Sequence, residues 1–233
     1  MTDKAALLAR LATLTAANAG RDHLALRLGS AYQLILGGDG AAITVANDSV
    51  NRTTLCATTP AADRLQDLQD ITGEGPCRDA YRTARSTVAR LGDGARRTWP
   101  EFTRAALQAV GPVTMYSFPM QPGGHTVGVI SVYVTDGRSL PESDDTAQFL
   151  ADTIGAALLQ DGPPAELNGD GPWTSRSRIH NATGMVVAQL RVPPADALAI
   201  LRAHAYATSR TLAEVAESVI DRTIDFREGS DDR

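Results

Sequence analysis

Between Ser175 and Phe226 apolar residues recur at helical spacing through three short segments, and sharp punctuation divides them. Val192-Pro193-Pro194 ends the first, and Thr208-Ser209-Arg210-Thr211 ends the second. Proline cannot continue a helix beyond its first turn, and Ser and Thr favour caps and turns over helix interiors. Three amphipathic helices in roughly fifty residues bury only a small core. The segment is therefore expected to fold as a tight three-helix bundle with little interior for an active site. Its polar positions include Arg176, Arg178, Arg191, Arg202, Arg210 and Arg222, with no lysine among them. An Arg-studded bundle of this size suits a polyanionic partner better than catalysis.

Within the bundle, Thr174 or Ser175 can cap the first helix. Its apolar stripe is Ile179, Ala182, Val186 and Leu190, with Arg178, Asn181 and Gln189 off the stripe. Pro194 suits the first position of the second helix, where its missing N–H costs nothing. That helix carries Ala197, Leu198, Leu201 and Ala205 on one side. Thr211 and Glu214 form a capping box opening the third, whose stripe is Leu212, Val215, Ala216, Val219 and Ile220. Small residues at Ala182, Gly184, Ala197, Ala205 and Ala216 are expected to let the helices approach closely.

The full chain has 233 residues, comfortable for two domains, and its 43% apolar and 21% charged composition is ordinary for a globular protein. Its net charge of −5 is unevenly placed: −5 over residues 1–171, +2 over 172–227 and −2 in the tail 228–233. The positive portion hints at an anionic partner. No run of about eighteen apolar residues exists, so no membrane span is expected. Leu7, Leu11 and Leu14 fall on one helical face, which reads as an amphipathic helix and not a signal peptide. Two cysteines, Cys56 and Cys77, suit a reducing cytoplasmic setting and exclude a disulfide scaffold or a zinc ribbon.

Ahead of the bundle, helices are predicted over 3–17, 22–36, 60–68, 77–83, 99–110 and 142–160. Strands are predicted over 41–46, 53–57, 87–91, 112–121 and 125–135, the last two joined by Pro122-Gly123-Gly124. An Asn47-Asp48-Ser49 turn joins the first two strands. Alternation at Val113, Met115, Val127 and Val129 predicts one face of the last hairpin on a core. Helices around antiparallel strands in this order make an α+β domain. The Gly- and Pro-rich stretch from Asp161 to Pro172 is the domain boundary. The expected organisation is a domain over 1–160 that includes the N-terminal helix, a linker 161–172, the bundle 173–227 and an acidic tail 228–233.

Three groups of residues carry a resemblance in the bundle: Ala182-Thr-Gly184-Met185, then Ala197, Leu201-Arg202 and Ala205, then Leu212 and Val215-Ala216. Through them the segment resembles the ANTAR family of RNA-binding transcription antitermination regulators, three-helix domains that bind paired hairpins in nascent RNA. The resemblance implies RNA contact by Arg178, Asn181, Thr183, Gly184, Arg202, Thr208, Ser209 and Arg210. Many members carry Lys where Thr183 stands. RNA recognition targets splayed bases through short polar groups and guanidinium planes, which fits this set.

Residues 22–160 resemble a GAF domain, a sensory α+β fold. The residues that carry the likeness are Ala41-Ala-Ile-Thr-Val45, Gly73-Glu-Gly-Pro-Cys77 and His125-Thr-Val-Gly-Val-Ile130. Such domains take cyclic nucleotides, haem, bilins or other small molecules; no cofactor can be named for this chain. Cys77 follows Gly-Pro at a helix start, where a thiol pKa falls and redox sensing becomes possible; a buried apolar role is the alternative. No Gly-x-Ser-x-Gly, P-loop or His-Glu zinc motif occurs, so an enzyme is not expected. The predicted function is a signal-responsive antitermination regulator that holds a dual-hairpin RNA as a homodimer built on the first helix and the 142–160 helix. The signal is a small molecule or a protein. Three other readings stand beside it: a DNA-binding regulator, a GAF-fold redox enzyme using Cys56 and Cys77, or a pure protein-interaction module that binds no nucleic acid.

Overall fold

The computed structural model describes residues 3–17, 22–46, 52–161, 172–208 and 210–227. The Asn47-Asp48-Ser49 turn, most of the linker, Ser209 and the acidic tail lie outside the described residues. These residues gather into two compact units. The first unit opens with α1 (Lys4–Ala16), where the Asp3 carboxylate accepts from the N–H groups of Ala5 and Ala6. Leu7 and Leu11 are buried as α1 packs on α2 (Leu24–Leu36). The N-terminus of α2 is closed by His23, whose Nδ1 accepts from Leu26 N–H at 3.3 Å.

Five antiparallel strands form one sheet: β1 (Gly40–Ala46), β2 (Arg52–Ala57), β3 (Thr87–Arg90), β4 (Thr114–Met120) and β5 (Gly128–Val134). They lie in the order β2-β1-β5-β4-β3, which leaves β2 and β3 at the edges. Register follows side-chain identity, with Ile43 opposite both Ile130 and Cys56, and Tyr116 opposite Val132. One sheet face carries Ile43, Cys56, Ile130, Phe118 and Met120 toward α2 and α7 (Asp144–Asp161). The Tyr32 hydroxyl of α2 donates to the Ala147 carbonyl of α7 at 3.1 Å, and Gln148 of α7 donates to the Pro119 carbonyl of β4 at 2.7 Å.

The opposite face carries Ala42, Met115, Ala89 and Tyr133. These pack with Leu65 of α3 (Pro60–Thr72) and with Phe102 and Ala106 of α6 (Pro100–Val110). Beside them, Cys77 and Ala80 of α4 (Pro76–Thr83) meet Val129. Helices therefore cover both faces, and every residue of β4 and β5 is buried. The expectation that only one face of this hairpin meets a core is corrected on that ground: the sheet is sandwiched, so both faces of its central strands are buried, and the buried Ser117 and Ser131 hydroxyls pair with each other at 2.8 Å. Other details also differ from expectation, and β5 starts at Gly128 and not at 125. Helix α3 runs past Leu68 to Thr72 and stops at left-handed Gly73. A short helix, α5 (Asp93–Thr98), precedes α6.

The second unit is α8 (Pro172–Leu190), α9 (Pro194–Ala207) and α10 (Leu212–Ile220). Its core is Ala182, Val186, Ala197, Leu198, Leu201, Ala205, Leu212, Val215, Ala216 and Val219, which reproduces the three stripes read from spacing. Helix α8 begins at Pro172 and not at Thr174 or Ser175, because proline is preorganised for a first helical turn. The capping box forms, with Glu214 N–H donating to Thr211 Oγ1 at 3.1 Å and Thr211 N–H donating to Glu214 Oε2 at 2.7 Å. The chain then folds back, and the Phe226 ring meets the His204 ring edge-on at 5.5 Å.

Candidate nucleic-acid interface

Helix α8 turns Asn181, Gly184 and Ala188 outward on one exposed line, spaced three and four residues apart as helical neighbours are. A Cβ built on Gly184 would meet nothing within 4 Å. The expectation that Gly184 relieves helix packing is therefore corrected: its lack of a side chain flattens the outer surface of α8 instead. Thr183 lies off this line, half-buried, and its hydroxyl donates back to the Ile179 carbonyl at 2.7 Å. Arg178 reaches across to α10, with Nη1 3.4 Å from Glu217 Oε1, and both side chains remain substantially exposed. A solvated pair of this kind is worth less than about 1 kcal/mol, so a phosphate could displace Glu217 at small cost.

On α9, Arg202 is half-buried one turn beyond Leu198. Thr208 is exposed just past the helix, its hydroxyl donating to the His204 carbonyl at 2.7 Å. Arg210 lies along α10, where one terminal nitrogen donates to the Glu214 carbonyl at 2.8 Å and to Ser218 Oγ at 2.7 Å. Its position braces the turn between α9 and α10. Arg227 is engaged with Asp225, and hydrogen bonds from that guanidinium and from Arg227 N–H draw the Asp225 carboxyl down to about 2.

The structure thus brings Asn181 and Gly184 together and places Thr183 apart from them. One residue escaped the sequence reading. Tyr206 is 45% exposed and stands four residues after Arg202, so the two fall on one side of α9. The available signal was an aromatic among outward alanines, since Ala199, Ala203 and Ala207 are all exposed. A ring beside a guanidinium offers two flat surfaces for unpaired bases.

Residues 173–220 match the family model of the ANTAR domain. The match covers the whole of α9 and α10 and nearly all of α8, so the ANTAR-like segment and the helical unit coincide. Among solved structures, the GAF domain of A. aeolicus nlh2 in an inactive state is similar at 12% identity and a TM-score of 0.43. That alignment covers 66% of this chain and 94% of the other. No curated protein matches the chain.

In the first unit, a cavity of about 10 Å³ lies between α3 and the sheet, lined by Ala42, Leu65, Gln66, Met115, Ser131 and Tyr133 among others. It has room for one water. Cys77 is buried and does not line it, its N–H donating to Gln69 Oε1 at 2.8 Å and its Sγ 3.9 Å from Arg52 Nη1. Cys56 donates its thiol to the Ala25 carbonyl at 3.1 Å, and burial pushes that thiol up to about 12. Cys56 belongs to the α2 face of the sheet and Cys77 to the α4 face. The sheet separates them, which removes the Cys56/Cys77 couple that a redox enzyme would need. Among the described residues no group of three or more His, Cys, Asp or Glu gathers as a metal site would, and no helix is long and apolar enough to cross a membrane.

Proposed function

We propose that this chain is a signal-responsive RNA-binding regulator that promotes transcription antitermination by holding paired hairpins in nascent RNA. The observation that carries the reading is the ANTAR match over 173–220, which falls on a unit built as a small bundle with its polar groups outward. Asn181 with Gly184 on α8, and Arg202 with Tyr206 on α9, supply the short polar, open and planar surfaces that looped bases require. Arg178, Thr183, Thr208, Ser209 and Arg210 complete the contact set, with Arg178 released from Glu217 on binding. The first unit is the sensor, responding to a small molecule or a protein, and the active form is a homodimer.

The test is filter binding of the full chain to a two-hairpin RNA, with single-hairpin RNA and duplex DNA of equal length as competitors. The two-hairpin RNA should bind best, and Arg202→Ala should weaken it by about tenfold or more, as loss of a charged hydrogen-bonding group does. Equal or tighter binding to duplex DNA would turn the reading toward a DNA-binding regulator.

A further inference from the structure

The first unit carries an asymmetry that the antitermination reading does not use. Residues 78–104 hold seven arginines, Arg78, Arg82, Arg85, Arg90, Arg96, Arg97 and Arg104, against three acids, Asp79, Asp93 and Glu101. This stretch has a net charge of +4, whereas the remainder of residues 1–171 has a net charge of −9. The arginines do not scatter over the fold. They fall on α4, the bend that follows it (Arg85), edge strand β3, α5 and the first half of α6, and α4 and α5 both pack against β3. Trp99 Nε1 donates to Asp79 Oδ2 at 3.0 Å and ties the end of α5 to α4.

Six of the seven, all but Arg78, are exposed. Arg82 pairs with Asp79 at 3.1 Å and Arg104 with Glu101 at 2.8 Å. Arg85, Arg90, Arg96 and Arg97 have no ion-pair partner among the described residues. Holding like charges together opposes folding through self-repulsion, and no ion pair among the described residues offsets these four. Arg85, just before the edge strand, and Arg90, at its end, lie five residues apart, no more than about 18 Å, which is the reach of a few nucleotides. Each guanidinium offers a planar fork matched to phosphate oxygens.

We infer that the β3 edge of the first unit, with Arg82, Arg85, Arg90, Arg96 and Arg97, docks the phosphate backbone of the RNA. This rests on the RNA-binding reading of the second unit and extends it to a surface of the other unit. Phosphate contacts position a nucleic acid without reading its sequence. The edge therefore supplies affinity and salt dependence, and the helical unit supplies selectivity. Two sites on one chain also bind an RNA long enough to reach both more tightly than either alone.

The experiment measures Kd of the full chain for a fluorescein-labelled two-hairpin RNA, and for a loop-scrambled version, across a KCl series. Combining Arg85→Gln, Arg90→Gln, Arg96→Gln and Arg97→Gln should weaken both RNAs to the same degree, on the order of tenfold. It should also reduce the slope of log Kd against log salt by about 2 to 4. The same four positions changed to Lys should keep the slope. Unchanged affinity and slope in the Gln variant, with Arg202→Ala still weakening binding, overturns this inference and leaves the RNA reading standing. Equal losses in the Gln and Lys variants overturn it as well, since charge would then not be the cause. Loss of poly-glutamate binding with RNA binding intact assigns the edge to an acidic protein and overturns it. A wild-type chain that binds neither RNA at low salt overturns both readings.

Discussion

His23 closes α2 with a ring nitrogen that can accept a hydrogen bond only while it is unprotonated. Burial is the main influence on its pKa and lowers it; Asp22 opposes that and Arg27 adds to it, leaving the value below the ordinary 6.5. A depressed folded pKa means that the unfolded chain binds the proton first. The cap's contribution is thus present above pH 6.5 and is lost as pH falls through the lower folded value. Thermal melts of His23→Asn should show a midpoint that changes less than wild type between pH 7.5 and pH 5, because an amide caps at every pH. Wild-type and variant curves running parallel would refute it. Gly75 is a second sensitive position. Its φ of +131° suits glycine alone, and a Cβ there would lie 2.4 Å from Gln69 Cγ and Oε1. Gly75→Ala should lose about 2–4 kcal/mol in urea unfolding, since it strains the backbone and displaces the Gln69 amide from Cys77 N–H. The Gly-Pro-Cys pattern marked this turn in the sequence. The burial of Cys77 was not legible there, because it depends on α4 meeting Val129 of a strand some fifty positions later.

Among the elements, α10 has nine residues and depends on its cap. Thr211→Ala removes one half of the capping box and should cost about 1 kcal/mol, seen as a lower urea midpoint with the slope unchanged. Asp39 performs a similar service at the end of the sheet. Its carboxylate accepts from Thr135 N–H at 2.6 Å and Thr135 Oγ1 at 2.7 Å, and it also pairs with Arg138. Burial raises its pKa, but the Thr135 side-chain and backbone hydrogen bonds and then Arg138 outweigh it, so the value lies below 3.8. Asp39→Ala should therefore destabilise by about 1–2 kcal/mol at pH 7, after allowance for its exposure. The deficit should shrink as pH falls below about 4, where the wild-type carboxyl takes up a proton. Most elements were legible because their apolar period is unambiguous, as in Leu198, Leu201 and Ala205 of α9. Helix α5 was not, because Asp93-Gly-Ala-Arg-Arg-Thr98 has no apolar period and is held by what packs on it.

For the molecule as a whole, the α+β first unit and the three-helix second unit could both be read from the sequence, and in the candidate site the outward placement of Asn181 followed from its position off the apolar stripe. Tyr206 and the arginines of the β3 edge belong to no motif and their exposure follows from packing, so the one sequence sign of Tyr206 was its place among alanines. The dimer proposal has its own test. Lys4 of α1 sits 4.9 Å above the Phe149 ring of α7, so these helices are neighbours. Leu8 on α1 is 40% exposed and Leu159 on α7 is 60% exposed. Light scattering on the Leu8→Asp, Leu159→Asp double variant should show half the wild-type mass, and an unchanged mass would remove these helices as the contact.

The space between α3 and the strands admits a single water, and that fact governs how any messenger could be received there. A guest of metabolite size must make its own room by prising the helix from the sheet. Its arrival would be paced by the breathing of that layer, not by diffusion, and its apparent grip would be weakened by the rarity of the parted state. Such a receptor would answer slowly, and mutations that loosen Leu65 or Met115 would quicken it.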